Sequence, residues 1–124
     1  MIRAIAVFFS LLFLSSQVLA QAWPTKPIRM IIPYPPGGAT DILGRLISQK
    51  LSPLIGQTVI VENKAGASGN LGFDYVAKSA PDGYTLLTGT ANMTIAPAFS
   101  SKLPFNVLTD FAPISQIVSQ CQQT

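Results

Sequence analysis

The chain has 124 residues, eight lysines and arginines against five acidic residues, and a formal net charge of +3. The basic residues are dispersed without a run, which argues against a nucleic-acid-binding protein, since such proteins concentrate positive charge on one face. The sequence has no histidine and one cysteine, Cys121, so the commonest general base is missing and neither a disulfide framework nor a zinc cluster can be built. We therefore expect no catalytic residue, no metal and no cofactor, and the role of Cys121 stays open.

Residues 1–22 have the pattern of a secretory signal peptide. Arg3 precedes an apolar run over residues 4–14, and small residues follow where a signal peptidase would cleave. The run is about half of the roughly 20 apolar residues that a transmembrane helix needs, so we expect a cleaved signal and no membrane span in the mature chain. Two cleavage sites fit, and the mature chain, long enough for one small domain, would start at Gln21 or Trp23.

An extended entry segment over residues 23–27 leads into a short apolar run at residues 28–32. A run of this kind is typical of a strand buried on both faces of a parallel sheet. Residues 33–38 contain three prolines and two glycines, which exclude helix and central strand and therefore predict a loop.

The first helix is predicted from residue 40 onward, where apolar residues recur at helical spacing. Thr40 or Asp41 is the expected cap, and Gly56 is the expected stop. Pro53 has no N–H, so we expect it to tighten the helix or end it early, with the regular body reaching Leu51.

A second strand is predicted at residues 58–62, which are rich in branched side chains. Strand, loop, helix and strand in this order form a right-handed crossover with parallel strands. Residues 64–72 are rich in glycine and lead into a second helical pattern that ends before Pro81. Residues 81–83 have the composition of a turn, and residues 84–88 predict the third strand.

The pattern weakens after the third strand. Residues 93–99 fit a short helix, residues 103–110 look irregular, and residues 111–118 alternate well enough to predict a fourth strand. Residues 119–124 have no apolar face, and we expect this tail to fray. The predicted fold class is α/β, with a parallel sheet built in the order β-α-β-α-β.

Three loops rich in glycine or polar residues follow the three predicted strands, at residues 35–40, 65–70 and 88–92. Parallel strands bring their carboxyl ends to one edge, which is where open α/β sheets bind ligands. Glycine lets a ligand approach the backbone, and the first amides of a helix carry partial positive charge, so the edge favours an anion such as a carboxylate. The same glycines are equally consistent with tight turns and close helix packing.

Six short motifs occur in order along the chain. They are PIR at 27–29, PGGxxD at 36–41, GQxVxVEN at 56–63, GAxGxxG at 66–72, PDGYTLL at 81–87 and DFxPI at 110–114. Together they resemble the periplasmic solute receptors of tripartite tricarboxylate transporters, the TctC or Bug family, and the resemblance runs from Trp23 to about Gln120. Each motif alone is unspecific, but six in sequence are specific.

The resemblance implies a type II periplasmic-binding-protein fold, in which two lobes close on a small carboxylate that a membrane permease then takes up. It implies binding in the periplasm and no enzyme activity. It assigns a possible pocket wall to Tyr34 and backbone donors to the two glycine-rich loops, and we also expect side-chain donors in the third loop. The backbone donors are Gly37, Gly38, Ala67, Ser68 and Gly69, and the side-chain donors are Thr88, Thr90 and Asn92. Asp41 is expected to cap the helix and fix its loop, because a second negative charge would repel the ligand.

Members of this family are longer than this chain, because two lobes need two sheets. We therefore expect residues 23–118 to be an incomplete amino-terminal lobe, with the second lobe missing through truncation or a frameshift. Two alternatives stay open. One is a secreted remnant without function, and the other is a fragment of a nucleotide-binding α/β enzyme, although residues 66–69 lack the G-x-G pair of such enzymes.

Overall fold

The computed structural model describes residues 23–100 and 102–119. Its strands and helices are β1 (Ile28–Ile32), α1 (Ala39–Ile55), β2 (Val59–Asn63), α2 (Asn70–Ala77), β3 (Thr85–Leu87) and α3 (Ala91–Phe99). A single 3-10 turn, Ala67–Gly69, precedes α2. The predicted signal peptide, Cys121 and nearly all of the predicted frayed tail lie outside the described residues. No helix in the described ranges is both long and apolar enough to cross a bilayer.

The three strands form one parallel sheet in the order β2-β1-β3. Ile28 of β1 lies opposite Val59 of β2, and Met30 of β1 lies opposite Leu86 of β3. The first three predicted strands are confirmed to within one residue at each end. The predicted α/β class with a parallel sheet is confirmed as well.

β1 is the buried centre of the fold. Its side chains Ile28, Ile31 and Ile32 are at most 1% exposed. On one face of the sheet, three buried side chains form a core that α1 covers with Ile47, Leu51 and Ile55. Burial on both faces is the environment that a mostly apolar strand requires in the middle of a parallel sheet.

An aromatic cluster covers the other face. Phe73 of α2 is fully buried, and its ring meets Phe105 edge-on with centroids 5.8 Å apart. Phe105 meets Phe111 in the same way at 5.9 Å. These contacts hold residues 102–111 against the lobe without regular secondary structure, as the irregular pattern there predicts.

The amino end of α1 differs from the prediction. Gly38 occupies the N-cap position with extended backbone (φ −79°, ψ 168°) and no side-chain cap, so the expectation that Thr40 or Asp41 would be the cap residue is wrong. Asp41 stands in the first turn and reaches back to accept a hydrogen bond from the Gly37 N–H at 2.9 Å. Asp41 thus holds the Gly37 amide of the loop from within the first turn, while the N-cap residue Gly38 offers no side chain to the first amides of the helix.

The carboxyl end of α1 is also longer than predicted. The helix passes through Pro53 to Ile55 and stops at Gly56, whose left-handed φ of 72° confirms the predicted stop. Pro53 is exposed, so water can satisfy the carbonyl that its missing N–H leaves unpaired, and the helix does not end there.

The predicted fourth strand, residues 111–118, is not formed. An alternating pattern becomes a strand only where a neighbouring strand supplies ladder hydrogen bonds, and no described strand pairs with this segment. Its apolar side chains consequently stay exposed, Ile114 to 81%. The short helix predicted at residues 93–99 is confirmed, but α3 begins two residues earlier.

The entry segment is anchored at the amino end of the sheet. The rings of Trp23 and Tyr84 lie 5.9 Å apart, and the Thr25 N–H donates to the Tyr84 hydroxyl at 2.9 Å. The predicted turn next to it is confirmed, because Gly83 has a φ of 79° and Asp82 Oδ1 accepts the Tyr84 N–H. The glycine-rich loops lie at the opposite end of the strands.

Candidate functional site

The carboxyl ends of β1, β2 and β3 meet at one edge of the sheet because the strands are parallel. Main-chain hydrogen bonds define where the loops leave that edge. The Lys64 N–H donates to Ile32 O at 2.8 Å, and the Thr88 N–H donates to Ile31 O at 3.0 Å. All three predicted ligand loops therefore start side by side.

Tyr34 is the residue at which the three loops meet. Its hydroxyl lies 2.7 Å from Thr90 Oγ1 and accepts a hydrogen bond from Asn92 Nδ2 at 3.1 Å. A Cβ at Gly69, in the second loop, would stand 3.3 Å from the same hydroxyl. One phenol thus joins the first loop to the third and lies against the second.

A polar cluster surrounds Asp41 at the amino end of α1. Its Oδ2 accepts from Arg45 Nε at 3.0 Å and from the Gly37 N–H at 2.9 Å, and its Oδ1 accepts from Asn63 Nδ2 at 2.9 Å. These donors, the Arg45 guanidinium first among them, hold the pKa of the Asp41 carboxyl well below its ordinary value of 3.8. The buried carboxylate is therefore ionised, is neutralised by Arg45, and accepts hydrogen bonds from its loop, its helix and the end of β2.

We expect this cluster to make the fold less stable in acid. Because the pKa of Asp41 is lower in the folded than in the unfolded chain, its contribution is fully present above about pH 4 and is lost as the pH falls further toward the folded-state pKa. Urea unfolding of the wild type and Asp41→Asn should show a difference at neutral pH that shrinks steadily below about pH 4. The other acidic groups titrate in both proteins and cancel. A difference that stays constant into the acid range would mean that the ionised carboxylate stabilises nothing.

The second loop holds an unusual run of backbone conformations. Gly66, Ala67, Ser68 and Gly69 all have positive φ, at 144°, 48°, 57° and 97°. For Ala67 and Ser68 this region costs on the order of 1 kcal/mol each. Both residues are exposed, so the packing of their side chains does not explain the conformation. Strain of this kind is typical of a turn that is shaped to present its backbone.

The predicted ligand-contacting residues fall into two groups at this edge. In the first group an N–H or a side-chain polar group is already hydrogen-bonded within the protein; its members are Tyr34, Gly37, Asp41, Gly69, Thr88, Thr90 and Asn92. The second group consists of exposed residues within the two glycine-rich loops, namely Gly38, Ala67 and Ser68, where only the carbonyls of Gly38 and Ala67 are used, each by an amide of the helix that follows. Thr88 is buried and its N–H donates to Ile31 O in the sheet, so it lies beneath the exposed surface of the edge.

The motif analysis missed two residues of the Asp41 cluster. Asn63 donates to Tyr34 O at 3.0 Å as well as to Asp41, and its Oδ1 accepts from Arg45 Nη2 at 3.0 Å. Arg45 was likewise not among the predicted site residues. The signal for Asn63 is its position, because it is a polar residue at the carboxyl end of a strand, directly before a glycine-rich turn.

The edge is an open surface and not an enclosed cavity. The two best-defined depressions among the described residues, of about 610 Å³ and 580 Å³, lie elsewhere, beside Tyr75 and beside Phe105. A small-molecule site encloses most of its ligand. The edge of this chain by itself therefore does not enclose a small molecule.

These features define a class of protein. A parallel α/β sheet that gathers glycine-rich turns and a helix without a side-chain cap at one edge is typical of an α/β ligand-binding protein. Comparison with known proteins then identifies the family, because residues 43–123 match the Tripartite tricarboxylate transporter family receptor. The chain belongs to this family, as the six motifs predicted. The family consists of periplasmic solute-binding proteins and not of enzymes, so the nucleotide-binding alternative is wrong.

Two curated relatives cover almost the whole chain. BugT of Bordetella pertussis is 40% identical over 119 residues, which are 94% of this chain and 36% of BugT. A protein from the tcbD-tcbE intergenic region of a Pseudomonas species is 38% identical over 115 residues, which are 90% of this chain and 34% of that protein. This chain thus spans about a third of the length of these relatives.

Solved structures show the same partial correspondence. The periplasmic binding protein BugD superposes with a TM-score of 0.70 at 37% identity, over 74% of this chain and 31% of BugD. MatC from Rhodopseudomonas palustris, with bound malate, gives 0.63 at 34% identity, over 73% and 31%. Rpa4515 from R. palustris, with adipate, gives 0.56 at 44% identity, over 57% and 24%. The fold is therefore that of part of a periplasmic binding protein.

Proposed function

We propose that this chain forms one wall of the ligand site in a periplasmic receptor for a small carboxylate, and that the receptor delivers its ligand to the membrane permease of a tripartite tricarboxylate transporter. The family assignment supports the receptor role. Two similar structures hold carboxylates, malate in one and adipate in the other. The secretory pattern of residues 1–22 supports export to the periplasm.

The observation that carries the proposal is the meeting of three loops at the Tyr34 hydroxyl, at the same edge of the sheet as the amino end of α1, which has no side-chain cap. The first amides of a helix have no intrahelical acceptor and carry the positive end of the helix dipole. A carboxylate seated there would accept hydrogen bonds from the main chain at Gly38 and from the strained turn at Ala67 and Ser68. Asp41 is neutralised by Arg45 and does not repel such a ligand.

Tyr34 would contact the same ligand through its hydroxyl. Asn92 donates to this oxygen, which leaves the phenolic proton for Thr90 or for a ligand oxygen. The third loop then acts through Tyr34, because its two polar side chains set the direction in which the hydroxyl points.

Exposed apolar side chains support the proposal that the lobe packs against further parts of a complete receptor. Four of those in the described ranges are more than 80% exposed: Leu54, Phe99, Leu108 and Ile114. Covering them would stabilise an assembled receptor by about 25 cal/mol per Å² of apolar surface removed from water. The additional length of the relatives would supply the residues that cover them and the opposite wall of the site.

Titration of the chain with malate and adipate, followed by calorimetry and by amide NMR shifts, tests the proposal. We expect saturable but weak binding, with a Kd on the order of 1 mM, because one wall supplies about half of the surface that encloses a small ligand. The largest shifts should occur at Gly38, Ala67 and Ser68. Succinamide, which has no carboxylate, is the control and should cause none of them.

Two results would contradict parts of this proposal. Micromolar binding by this chain would show that a second wall is unnecessary. Equal shifts with succinamide, or shifts confined to other regions, would remove the carboxylate site from this edge. A chain that shows no cooperative unfolding transition over residues 23–124 would favour the alternative of a secreted remnant without function.

A further inference from the structure

Asn63 uses every polar group of its side chain to join three parts of the edge. Its Nδ2 donates to Tyr34 O at 3.0 Å, in the segment between β1 and α1, and to Asp41 Oδ1 at 2.9 Å, in α1. Its Oδ1 accepts from Arg45 Nη2 at 3.0 Å, one turn further along the same helix. The end of β2 is thereby tied both to the loop after β1 and to the helix that follows it.

The donors and acceptors around the Asn63 side chain match those of an amide. Its nitrogen faces a carbonyl and a carboxylate, whereas its oxygen faces a guanidinium. Turning the amide by half a rotation would place oxygen against two oxygens. An aspartate in its place would have almost the same shape but would put a second negative charge beside Asp41, where like charges repel.

The hydrogen bond from Asn63 occupies one of the two carboxylate oxygens of Asp41. With Oδ1 held by Asn63, the other oxygen faces the Gly37 N–H and accepts it at 2.9 Å. Gly37 takes a left-handed φ of 90°, and Gly38 then returns to extended backbone at the start of α1. The amide of Gly37 is thus turned toward the protein, and the turn that follows presents Gly38 at the exposed edge.

We propose that Asn63 is a positioning residue of the ligand site, which acts through Asp41 to hold the Gly37-Gly38 turn in the shape that receives a carboxylate. Its effect on binding rests on the proposed function, whereas its effect on the turn does not. Asn63 touches no ligand in this proposal. It links the first and second loops so that both are in place before a ligand arrives.

Amide hydrogen exchange of the whole chain tests the effect on the turn. In Asn63→Ala and in Asn63→Asp the protection factor of the Gly37 amide should fall about tenfold, because Asp41 loses the bond that orients it. The Thr88 amide, which belongs to the sheet, reports the stability of the fold and should keep its protection. Gln49→Glu is the matched control, since it makes the same exchange of amide for carboxylate at an exposed position of α1.

The pH dependence of Gly37 protection in the two variants distinguishes a positioning role of Asn63 from a merely structural one. In Asn63→Asp the charged groups that face the new carboxylate are Asp41 and Arg45. Protonation of one carboxyl of this pair restores a donor between the two side chains, so the protection factor at Gly37 should recover as the pH is lowered from neutral toward about pH 4. Asn63→Ala has nothing to protonate at this position and should not recover.

Malate titrations complete the test. Where the wild-type chain binds malate, Asn63→Ala should weaken binding about tenfold. Unchanged Gly37 protection in both variants would overturn the proposal, and so would an equal loss at Gly37 and Thr88, since that would be a general loss of stability. A changed Gly37 with unchanged malate affinity would overturn the link to binding. If the wild type does not respond to malate while Gly37 responds to the variants, the turn is positioned as proposed and the proposed function is wrong.

Discussion

Gly72→Ala should destabilise the fold by about 3 kcal/mol and lower its Tm by roughly 10 °C or more. A Cβ at this position would stand 2.8 Å from Pro33 Cβ, 2.9 Å from Pro33 Cα and 3.0 Å from Lys64 O. Two of these atoms belong to the backbone, so no side-chain rotation can relieve the contact. α2 would have to move away from the ends of β1 and β2, where the first two loops begin.

Thermal and urea unfolding measure this effect. Alanine gains about 1 kcal/mol over glycine in helix propensity, so a net loss of about 3 kcal/mol corresponds to a steric cost of about 4 kcal/mol. Gly89→Ala is the matched control, because the nearest atom to its new Cβ would be Met93 Sδ at 3.8 Å, and it should change stability by less than about 0.5 kcal/mol. If both variants unfold like the wild type, α2 does not pack as closely on Pro33 as the structure shows.

Gly38→Val should abolish most carboxylate binding while the lobe stays folded. The backbone of Gly38 is extended (φ −79°), which valine adopts readily, and the nearest atom to a new Cβ would be Pro35 O at 3.9 Å. The added methyl groups would therefore occupy the space in front of the turn and not the interior of the protein. A steric misfit of this size is worth about 1–3 kcal/mol in total, so we expect affinity for malate or adipate to fall roughly 10- to 200-fold.

Calorimetry of the variant against the wild type, with unfolding measured in parallel, checks both halves of this expectation. Gly38→Ala should weaken binding less than valine does, because it places less volume in the same space. Gln49→Val adds the same side chain at an exposed position of α1 and should leave affinity unchanged. Affinity that is unaltered by valine at position 38 would show that the ligand does not approach the amino end of α1.

The regular elements were predictable because their signals are local. The apolar run at residues 28–32, the helical spacing after residue 40 and the branched run near residue 60 each depend on side chains close together in the chain. The helix stop at Gly56 and the turn at Gly83 were predictable for the same reason, since glycine adopts a left-handed φ at the least cost.

The errors arose where a partner distant in sequence decides the outcome. Residues 111–118 alternate like a strand, but a strand needs a neighbour in the sheet and none of the described strands provides one. Asp41 has a side chain suited to capping, yet its oxygens serve Gly37, Arg45 and Asn63 from within the first turn. Pro53 stays inside α1 because its position is exposed, which depends on how the helix packs.

For the candidate site, the sequence by itself determined that three polar or glycine-rich loops share one edge, since parallel strands require it, and its six motifs identified the family. Only the tertiary structure decided which polar groups remain for a ligand. Tyr34 and Asn92 are 58 residues apart and Tyr34 and Asn63 are 29 apart, yet each pair is joined by a hydrogen bond. Composition and periodicity describe neighbours along the chain, whereas donors and acceptors at such separations are paired by the packing of the whole lobe.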